Sequence, residues 1–286
     1  MLTLAAYAKI NLGLEVLHKR PDGYHEINTV FSRVSLHDSV TVEPAADLRV
    51  LCPRLQHLPE ADTLVYKAAW AVRNAFSIAA GAKITIHKHI PLGAGLGGGS
   101  SDAASALLAL RSLWKLPCSI VDLHGIAKDL GADVPFFMGC DDALAGGIGD
   151  RIRPLSLRLP YSVLLVFPGV EVSTAHAYGM LHRGSEPRTA SPFVETLDML
   201  AAARGGHVRV RNDFQQVVFA EHPLLGRIAA EMETPACTSV FMSGSGSTIV
   251  GLYGRREDAL RQSKALSDVR SCVCSFVHHI EDDLHR

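Results

Sequence analysis

Glycine and serine crowd one short segment of the sequence, residues 91–101, and these residue types suit the binding of phosphate. Five of the seven residues from 93 to 99 are glycine. Glycine lets backbone N–H groups approach a ligand closely, and it adopts a positive φ at little cost. The helical pattern that begins near Ser100 offers free N–H groups and a dipole, both of which attract anions. The segment therefore predicts a loop that cradles phosphate groups, in which Ser100 and Ser101 add hydroxyl donors or a metal contact. The predicted phosphate-binding residues are Pro91, Leu92, Gly93, Ala94, Gly95, Leu96, Gly97, Gly98, Gly99, Ser100 and Ser101.

Three other interpretations compete for this glycine loop. A flexible linker is disfavoured because the loop lies between an alternating strand pattern and a helical pattern. A Gly-x-Gly-x-x-Gly dinucleotide pattern does begin at Gly93, but the strand before that motif should be almost wholly apolar. Here residues 83–89 contain two lysines and two histidines. A P-loop ends in Gly-Lys-Ser or Gly-Lys-Thr, whereas this loop ends in Gly-Ser-Ser, so a positive charge must come from elsewhere.

Lys9, Asn11 and Asp133 are polar residues outside the loop whose positions the sequence pattern defines. Lys9 and Asn11 lie two residues apart on a predicted strand, so they project from one face about 6.7 Å apart. Asp133 precedes Pro135, which suits the first position of a short helix. A lysine can neutralise phosphoryl oxygens, and a carboxylate can accept the proton of an attacking alcohol. Taken alone, Lys9 is more typical of a solvated strand face than of a functional site. Asp133 is also compatible with an ordinary helix N-cap.

The elements that must position these residues form an α+β pattern. The segment 20–23 (Arg-Pro-Asp-Gly) predicts a tight turn, a capping box at Ser119 opens a helix that Gly131 closes, and Asn212 is expected to cap another helix. Strands are predicted at 2–17, 24–34, 38–43, 48–51 and 83–90, within 142–167, and at 237–242, 248–253 and 271–280. Helices are predicted at 62–76, 100–115, 119–131, from Pro135, and near 173–182, 193–203, 212–232 and 256–267.

Length and composition bound the class of protein. The chain has 286 residues, 48% of them apolar, with 28 Lys and Arg against 29 Asp and Glu. It is long enough for one large or two ordinary domains. Balanced charge without a basic run argues against nucleic acid or an anionic membrane as the main partner. No signal-peptide pattern or membrane-length apolar stretch is apparent, so we expect a cytoplasmic protein.

The six cysteines and fourteen histidines do not predict a metal site. The single Cys-x-Cys pair, at 272–274, lacks the second pair or the histidines of a zinc site. His87 and His89 share a strand face, but no carboxylate is spaced to join them. Free thiols and surface histidines are the simpler interpretation.

Five segments resemble the GHMP kinases, a superfamily that includes galactokinase, homoserine kinase and mevalonate kinase. Residues 8–12 (Ala-Lys-Ile-Asn-Leu), 91–104 (the glycine loop with Asp-Ala-Ala) and 242–247 (Met-Ser-Gly-Ser-Gly-Ser) carry the superfamily likeness. Residues 20–25 (Arg-Pro-Asp-Gly-Tyr-His) and 130–137 (Leu-Gly-Ala-Asp-Val-Pro-Phe-Phe) resemble one branch more closely. That branch phosphorylates a cytidine diphosphate methylerythritol in the non-mevalonate route to isoprenoids. The likeness runs over essentially the whole chain, and the five segments in this order are highly specific.

The resemblance implies a two-domain GHMP kinase fold of the α+β class. An N-terminal ATP-binding and catalytic domain, ribosomal protein S5 domain 2-like, would span residues 1–155, and a C-terminal ferredoxin-like sandwich domain would span 156–286. It implies transfer of the ATP γ-phosphate, with Mg²⁺, to the tertiary 2-hydroxyl of cytidine diphosphate methylerythritol, in a monomer or homodimer. Homoserine or mevalonate kinase is an alternative that the Pro-Asp-Gly-Tyr-His segment disfavours. A catalytically silent nucleotide sensor is another, which Lys9 with Asp133 disfavours.

The same resemblance implies catalytic and nucleotide-binding roles. Asp133 matches the family's catalytic aspartate, and Lys9 is expected beside it. Leu64 and Lys88 are expected to line the adenine region, although hydrophobic lining and a plain strand lysine are equally good interpretations. Thr63 departs from the asparagine that the family often has there. No glutamate for the metal has a clear counterpart, so serine and phosphate oxygens are expected to hold Mg²⁺.

Substrate-binding roles follow in the same way. Tyr24 and His25 match the segment that meets the cytosine ring, and Tyr178 falls where a second stacking aromatic is expected. Asn11 is expected to bond substrate or Lys9. Gly244 is expected in a tight turn that braces the loop or approaches the substrate diphosphate, and the alternative is a plain hairpin turn. For Tyr178 the alternative is half-buried packing at the surface. Ser247 replaces a proline that is common in the family.

Overall fold

A computed structural model describes residues 1–55, 58–190, 193–202 and 207–278, with only the backbone at 194. The first of its two sheets contains six strands, in the order β3-β4-β2-β5-β6, with β1 paired to β2. The long β2 anchors this sheet: its N-terminal half pairs with β5 and its C-terminal half with β4. The strands are β1 (Leu2–Lys19), β2 (His25–Ala45), β3 (Leu48–Leu51), β4 (Gly81–His87), β5 (Asp142–Gly146) and β6 (Arg151–Leu155).

The second sheet is antiparallel and has the order β10-β7-β9-β8. Its strands are β7 (Ser162–Phe167), β8 (Cys237–Met242), β9 (Ile249–Tyr253) and β10 (Arg270–Ser275). Eight α-helices flank the sheets in the described parts of the chain: α1 (Leu64–Ala75), α2 (Gly98–Leu113), α3 (His124–Leu130), α4 (Thr174–Met180), α5 (Val194–Ala202), α6 (Asp213–Glu221), α7 (Pro223–Met232) and α8 (Arg256–Ala265). No helix within the described ranges has the length and apolar character needed to cross a bilayer.

The two sheets share a core. Ile10 and Leu12 of the first sheet pack with Leu165, Phe241 and Val250 of the second, all buried. Alternate residues of β7 face the other way and pack with α6 and α7. Helices α1, α2 and α3 cover the opposite face of the first sheet. The order of layers is therefore helix, sheet, sheet, helix, and the predicted division at 155–156 falls between the two sheets.

Alternating apolar residues correctly predicted β1, but the polar face of this strand is not solvated. Lys9 is 5% exposed and Asn11 2% exposed. Helix α2 packs against this strand, and the Lys9 N–H donates to the Leu96 carbonyl of the glycine loop at 3.0 Å. The interpretation of Lys9 as a solvated strand lysine is therefore wrong.

Several predicted boundaries are wrong. Segments 24–34 and 38–43 form one continuous strand, β2, in which a register shift opposite Tyr7 and Ala8 interrupts the ladder. The helix predicted at 212–232 is two helices, because Pro223 lacks an N–H and begins α7. The last strand, predicted at 271–280, ends at Ser275. Residues 279 and 280 of that predicted strand lie outside the described residues. Residue 203 of the helix predicted at 193–203 lies outside them as well. The short helix predicted to begin at Pro135 is confirmed, as a four-residue 3-10 helix, Pro135–Met138.

Candidate active site

A cavity of about 960 Å³ lies where the glycine loop, β1 and the second half of the chain meet. Most of the predicted site residues line it. The exception is Ser101, which is 2% exposed and lies outside the lining. The predicted residues in the lining are Lys9, Asn11, Tyr24, His25, Leu64, Lys88, Pro91, Leu92, Gly93, Ala94, Gly95, Leu96, Gly97, Gly98, Gly99, Ser100, Asp133, Tyr178 and Gly244.

Backbone conformation explains why the loop needs glycine at two positions. Gly97 adopts φ +67 at the N-cap of α2, and Gly95 adopts φ +74. A Cβ on Gly95 would lie 2.3 Å from the Ser243 carbonyl oxygen, a distance that no side chain can tolerate. Any other residue at Gly95 would therefore push apart the loop and the turn that follows β8.

Three carbonyls of the loop are occupied by neighbours. Thr248 Oγ1 donates to Ala94 O at 2.7 Å, Ser243 Oγ to Gly95 O at 3.0 Å, and the Lys9 N–H to Leu96 O at 3.0 Å. The first N–H groups of an α-helix have no acceptor within the helix. The loop thus holds its acceptors in protein contacts and begins a helix whose first donors are available to an anion.

Lys9 and Asp133 come together in the cavity. Lys9 Nζ lies 3.6 Å from Asp133 Oδ2, with the lysine side chain 6% exposed and the aspartate 30% exposed. Nζ also donates to Asn11 Oδ1 at 2.8 Å and lies 4.6 Å from the Phe31 ring centroid. Asn11 Nδ2 in turn donates to Thr29 Oγ1 at 2.8 Å. The ammonium is therefore held by an amide and a ring face, next to a carboxylate that faces the cavity.

The position of Asp133 is fixed by the elements on either side of it in the sequence. Helix α3 ends at Leu130, and Val134, not Asp133, is the N-cap of the 3-10 helix, which has no side-chain cap. The alternative of Asp133 as an ordinary helix cap is therefore wrong. Phe136 anchors the segment: it is fully buried, and its carbonyl accepts from Arg33 Nη2 at 3.4 Å. Burial lowers the pKa of Arg33 to about 10.

Aromatic rings form one wall of the cavity. The His25 and Tyr178 rings stack with centroids 4.6 Å apart and planes 11° from parallel, and Phe214 contacts Tyr178 edge-on at 4.9 Å. Tyr24 is 60% exposed. Burial, with the nearby charges of Lys19 and His18, lowers the pKa of His25, so a neutral ring offers one donor and one acceptor. The sequence predicted these residues at the site but not the stack of His25 on Tyr178.

Lys88 belongs to a buried cluster that the sequence analysis missed. Its ammonium bonds to Asp38, and to Asp102 Oδ2 at 2.7 Å, with all three side chains at most 5% exposed. The ammonium also lies 3.3 Å from where a Cβ on Gly98 would be. No sequence pattern linked Asp38 to Lys88, and Asp102 entered only as part of the motif at residues 91–104. The predicted contact of Lys88 with adenine stays a prediction.

Asn212 does more than cap a helix. Its amide oxygen accepts from the Phe214 N–H at 2.9 Å, which caps α6 as predicted. Its amide nitrogen donates to Met242 O at 2.6 Å and Gly244 O at 2.8 Å. Asn212 thus holds the turn that carries Gly244 against the glycine loop; the sequence signal was only the cap.

Comparison with known proteins identifies the family. The model "GHMP kinases N terminal domain" matches residues 63–143, and "GHMP kinases C terminal" matches residues 196–271. A 4-diphosphocytidyl-2-C-methyl-D-erythritol kinase of Prosthecochloris aestuarii is 41% identical over 270 residues, which cover 93% of this chain and 94% of the relative. The enzyme of the same name from Thermodesulfovibrio yellowstonii is 35% identical over 289 residues, which cover 99% of this chain and 100% of the relative.

Solved structures agree with the sequence relatives. A crystal structure of 4-(cytidine 5'-diphospho)-2C-methyl-D-erythritol kinase superposes with a TM-score of 0.85 at 36% identity, over 97% of this chain and 100% of that one. A mevalonate kinase superposes with a TM-score of 0.69 at 14% identity, over 98% and 100%. A homoserine kinase from Cytophaga hutchinsonii superposes with a TM-score of 0.61 at 18% sequence identity, over 96% of this chain and 94% of that one. The last two share the fold alone.

Proposed function

This chain belongs to the GHMP kinases, with the two-domain α+β fold of that family, and on that premise we propose how its cavity works as an ATP-dependent small-molecule kinase. The reaction is phosphorylation of the tertiary 2-hydroxyl of 4-diphosphocytidyl-2-C-methyl-D-erythritol. One observation carries the chemistry: Lys9 Nζ and Asp133 Oδ2 are 3.6 Å apart in the cavity that the glycine loop and the aromatic wall enclose. The alternatives of a homoserine kinase, a mevalonate kinase or a silent sensor are not favoured, because the similar sequences are named for the cytidyl substrate.

Phosphate binding belongs to the loop and to the start of α2. The N–H groups of the first helical turn and the helix dipole favour the β- and γ-phosphates, and Ser100 adds a hydroxyl. Leu64, the first residue of α1, lines the same cavity and is suited to an adenine face. Gly244 opposes the loop and takes the diphosphate side of the substrate.

The chemical step requires a base and a positive charge in contact with the reacting atoms. Asp133 accepts the proton of the tertiary alcohol while the alcohol oxygen forms a bond to the γ-phosphorus. The bond between the γ-phosphorus and the oxygen that bridges it to the β-phosphate breaks at the same time, which releases ADP. Lys9 offsets the charge that develops on the phosphoryl oxygens. Asn11 fixes the direction of the ammonium.

Mg²⁺ suits this site as a substrate-bound ion. The described residues contain no group of three or more His, Cys, Asp and Glu that could hold a metal, so a cage of protein ligands is not available. Mg²⁺ usually keeps several waters and binds substrate phosphates, and Ser100 borders the cavity with a hydroxyl oxygen that would join them. When bound, the ion neutralises charge on the phosphates.

Recognition of cytosine belongs to the aromatic wall. The exposed Tyr24 ring offers a face for stacking, His25 offers a donor and an acceptor to the base edge, and Tyr178 supports His25 from behind. A monomeric or dimeric state, a cytoplasmic location and the absence of a nucleic-acid partner stay predictions.

An ADP-release assay with acceptor substrates tests the function. With ATP and Mg²⁺, 4-diphosphocytidyl-2-C-methyl-D-erythritol is expected to give stoichiometric ADP, and ³¹P NMR of the product should show one new phosphate monoester. Mevalonate and homoserine serve as controls and should give background rates. Release of ADP that is independent of the cytidyl substrate, or faster with a control alcohol, contradicts the proposal.

A further inference from the structure

Glu26, the second residue of β2, stands between two turns near the cavity. Its Oε2 accepts from Arg20 Nη1 at 3.0 Å. Its Oε1 accepts from the Gly147 N–H at 3.0 Å and from Arg151 Nη2. The Glu26 side chain is 19% exposed and lies outside the cavity lining. One carboxylate therefore holds three donors, from residues 20, 147 and 151.

The first turn, 20–24, carries Tyr24 and leads directly into His25. Arg20 Nη2 donates to Asp22 Oδ2 at 2.8 Å, and Asp22 Oδ1 accepts from the Tyr24 N–H at 3.1 Å. The Arg20 N–H donates to the Tyr24 carbonyl at 2.8 Å. Because the same guanidinium also bonds Glu26, the position of this turn depends on the Glu26 carboxylate.

The second turn, 146–149, lies against the reacting end of the cavity. The Gly149 N–H donates to Gly146 O at 3.0 Å, and Gly147 O accepts from the Ile27 N–H at 2.8 Å. A Cβ on Gly149 would lie 3.7 Å from Asp133 Oδ1, so the turn packs beside that carboxylate. Ile148 lines the cavity.

We propose that Glu26 is a positioning residue that fixes the base-binding turn relative to the Asp133 carboxylate. The inference rests on the proposed function: a substrate recognised at its base and phosphorylated at its far end requires a fixed separation between the two sites. Misplacement by about 1 Å can cost about 100-fold in rate. A ligand that uses only the base end does not depend on this separation.

The test compares Glu26→Gln with Glu43→Gln. Glu43 lies on the same strand and pairs with Lys83 at 3.3 Å, so its variant controls for loss of one ion pair on β2. For Glu26→Gln we expect kcat/KM for the cytidyl substrate to fall about tenfold, with the KM of ATP and the inhibition constant of CDP changed less than twofold. Glu43→Gln should match wild type in all three.

Each other outcome has a definite meaning. If Glu26→Gln matches Glu43→Gln, or if it weakens CDP as much as the full substrate, the positioning role is wrong. If Glu26→Gln does not fold, Arg151→Gln carries the test, because that side chain is 65% exposed; it should lower kcat/KM for the cytidyl substrate with CDP inhibition unchanged, and wild-type behaviour overturns the inference. A wild-type enzyme that ignores the cytidyl substrate overturns the proposed function first.

Discussion

At the scale of single residues, contacts within the protein hold the ammonium of Lys9 in place. Its long side chain is buried, and its head group bonds Asn11 at 2.8 Å. Ordering a lysine side chain costs up to about 2 kcal/mol of entropy, and here that cost is met on folding. The charge next to Asp133 is therefore in position before a phosphate arrives.

Replacement of Asp133 tests its assignment as the base. Asp133→Asn keeps the shape but cannot accept the proton, so kcat is expected to fall by about 100-fold or more. Because Asp133 has no capping bond, the melting temperature should stay within about 2 °C of wild type. Steady-state kinetics and a thermal melt measure both quantities; near-normal turnover would refute the role.

The cluster of Lys88, Asp38 and Asp102 places two carboxylates around one ammonium. Burial raises the pKa of Asp102 to about 7, and the charge of Asp38 adds to that effect while Lys88 opposes it. Burial alone would lower the pKa of Lys88, but the two carboxylates outweigh it and raise that pKa. The cluster ties β2 and the end of β4 to the first turns of α2, just below the glycine loop.

The pH dependence of stability should reveal Asp102. Its pKa is higher in the folded than in the unfolded protein, so folding binds a proton and the carboxyl's contribution to stability falls as pH rises from about 4 to about 7. Asp102→Asn cannot titrate. We expect its melting temperature, relative to wild type, to rise by at least about 3 °C between pH 5 and pH 8. Burial also raises the pKa of Asp142, to about 6, but this residue is present in both proteins, so its effect cancels in the difference between their melting temperatures. Parallel pH profiles of melting temperature for wild type and Asp102→Asn would contradict the assignment of a raised pKa to Asp102.

At the scale of elements, two glycine turns from distant parts of the sequence touch each other. The loop 91–101 and the turn after β8 meet at Gly95 and Ser243, through a hydrogen bond of 3.0 Å. A Cβ on Gly244 would lie 3.2 Å from Gly95 O. Asn212 holds the second turn from behind. The shape of the phosphate loop therefore depends on an element almost 150 residues away.

Alanine at Gly95 and at Gly93 separates this contact from backbone strain. Both positions have positive φ, which costs alanine about 1 kcal/mol. The Cβ at Gly93 meets nothing within 4 Å, whereas that at Gly95 meets the Ser243 carbonyl at 2.3 Å. We expect Gly95→Ala to lower the free energy of unfolding by at least about 2 kcal/mol more than Gly93→Ala and to raise the KM of ATP. Urea unfolding measures the first quantity; equal costs would show that the contact does not matter.

The sequence predicts local features of the fold better than long-range ones. The alternation in β1 is a local signal that correctly predicted a strand. The glycines correctly predicted a loop ahead of a helix, and phosphate binding by that loop stays a prediction. The same alternation failed to predict the burial of Lys9, because a group that packs over it comes from Leu96, far along the sequence. The continuity of β2 also escaped prediction, because a two-residue bulge opposite β1 looks like a loop when its partner strand is unknown. The pairing of Lys9 with Asp133 rested on family resemblance, since no local pattern joins residues that far apart.

At the scale of the whole molecule, the core between the sheets belongs to both halves of the chain. Ile10 and Leu12 from the first half and Leu165, Phe241 and Val250 from the second are each at most 1% exposed. Separation of the halves would expose this apolar face to water, at about 25 cal/mol per Å². The predicted domain division at 155–156 would therefore separate two sheets that share one core.

A fragment of residues 1–160 should not fold as a stable unit. Its first sheet would lack the cover over Ile10 and Leu12, so we expect aggregation, or a compact state without a cooperative melt. Circular dichroism and differential scanning calorimetry, with the full chain as control, measure this. A sharp fragment transition within about 5 °C of the full chain would show that the halves fold independently.

The shared core also has a consequence for the order in which the chain is synthesised. Strand β1 leaves the ribosome well before Phe241 and Val250, which cover its apolar face and lie more than 220 residues later in the sequence. At about 5–20 residues per second, that delay is on the order of tens of seconds. During this interval the exposed strand is a binding site for chaperones, and cellular yield should depend on how well they protect it.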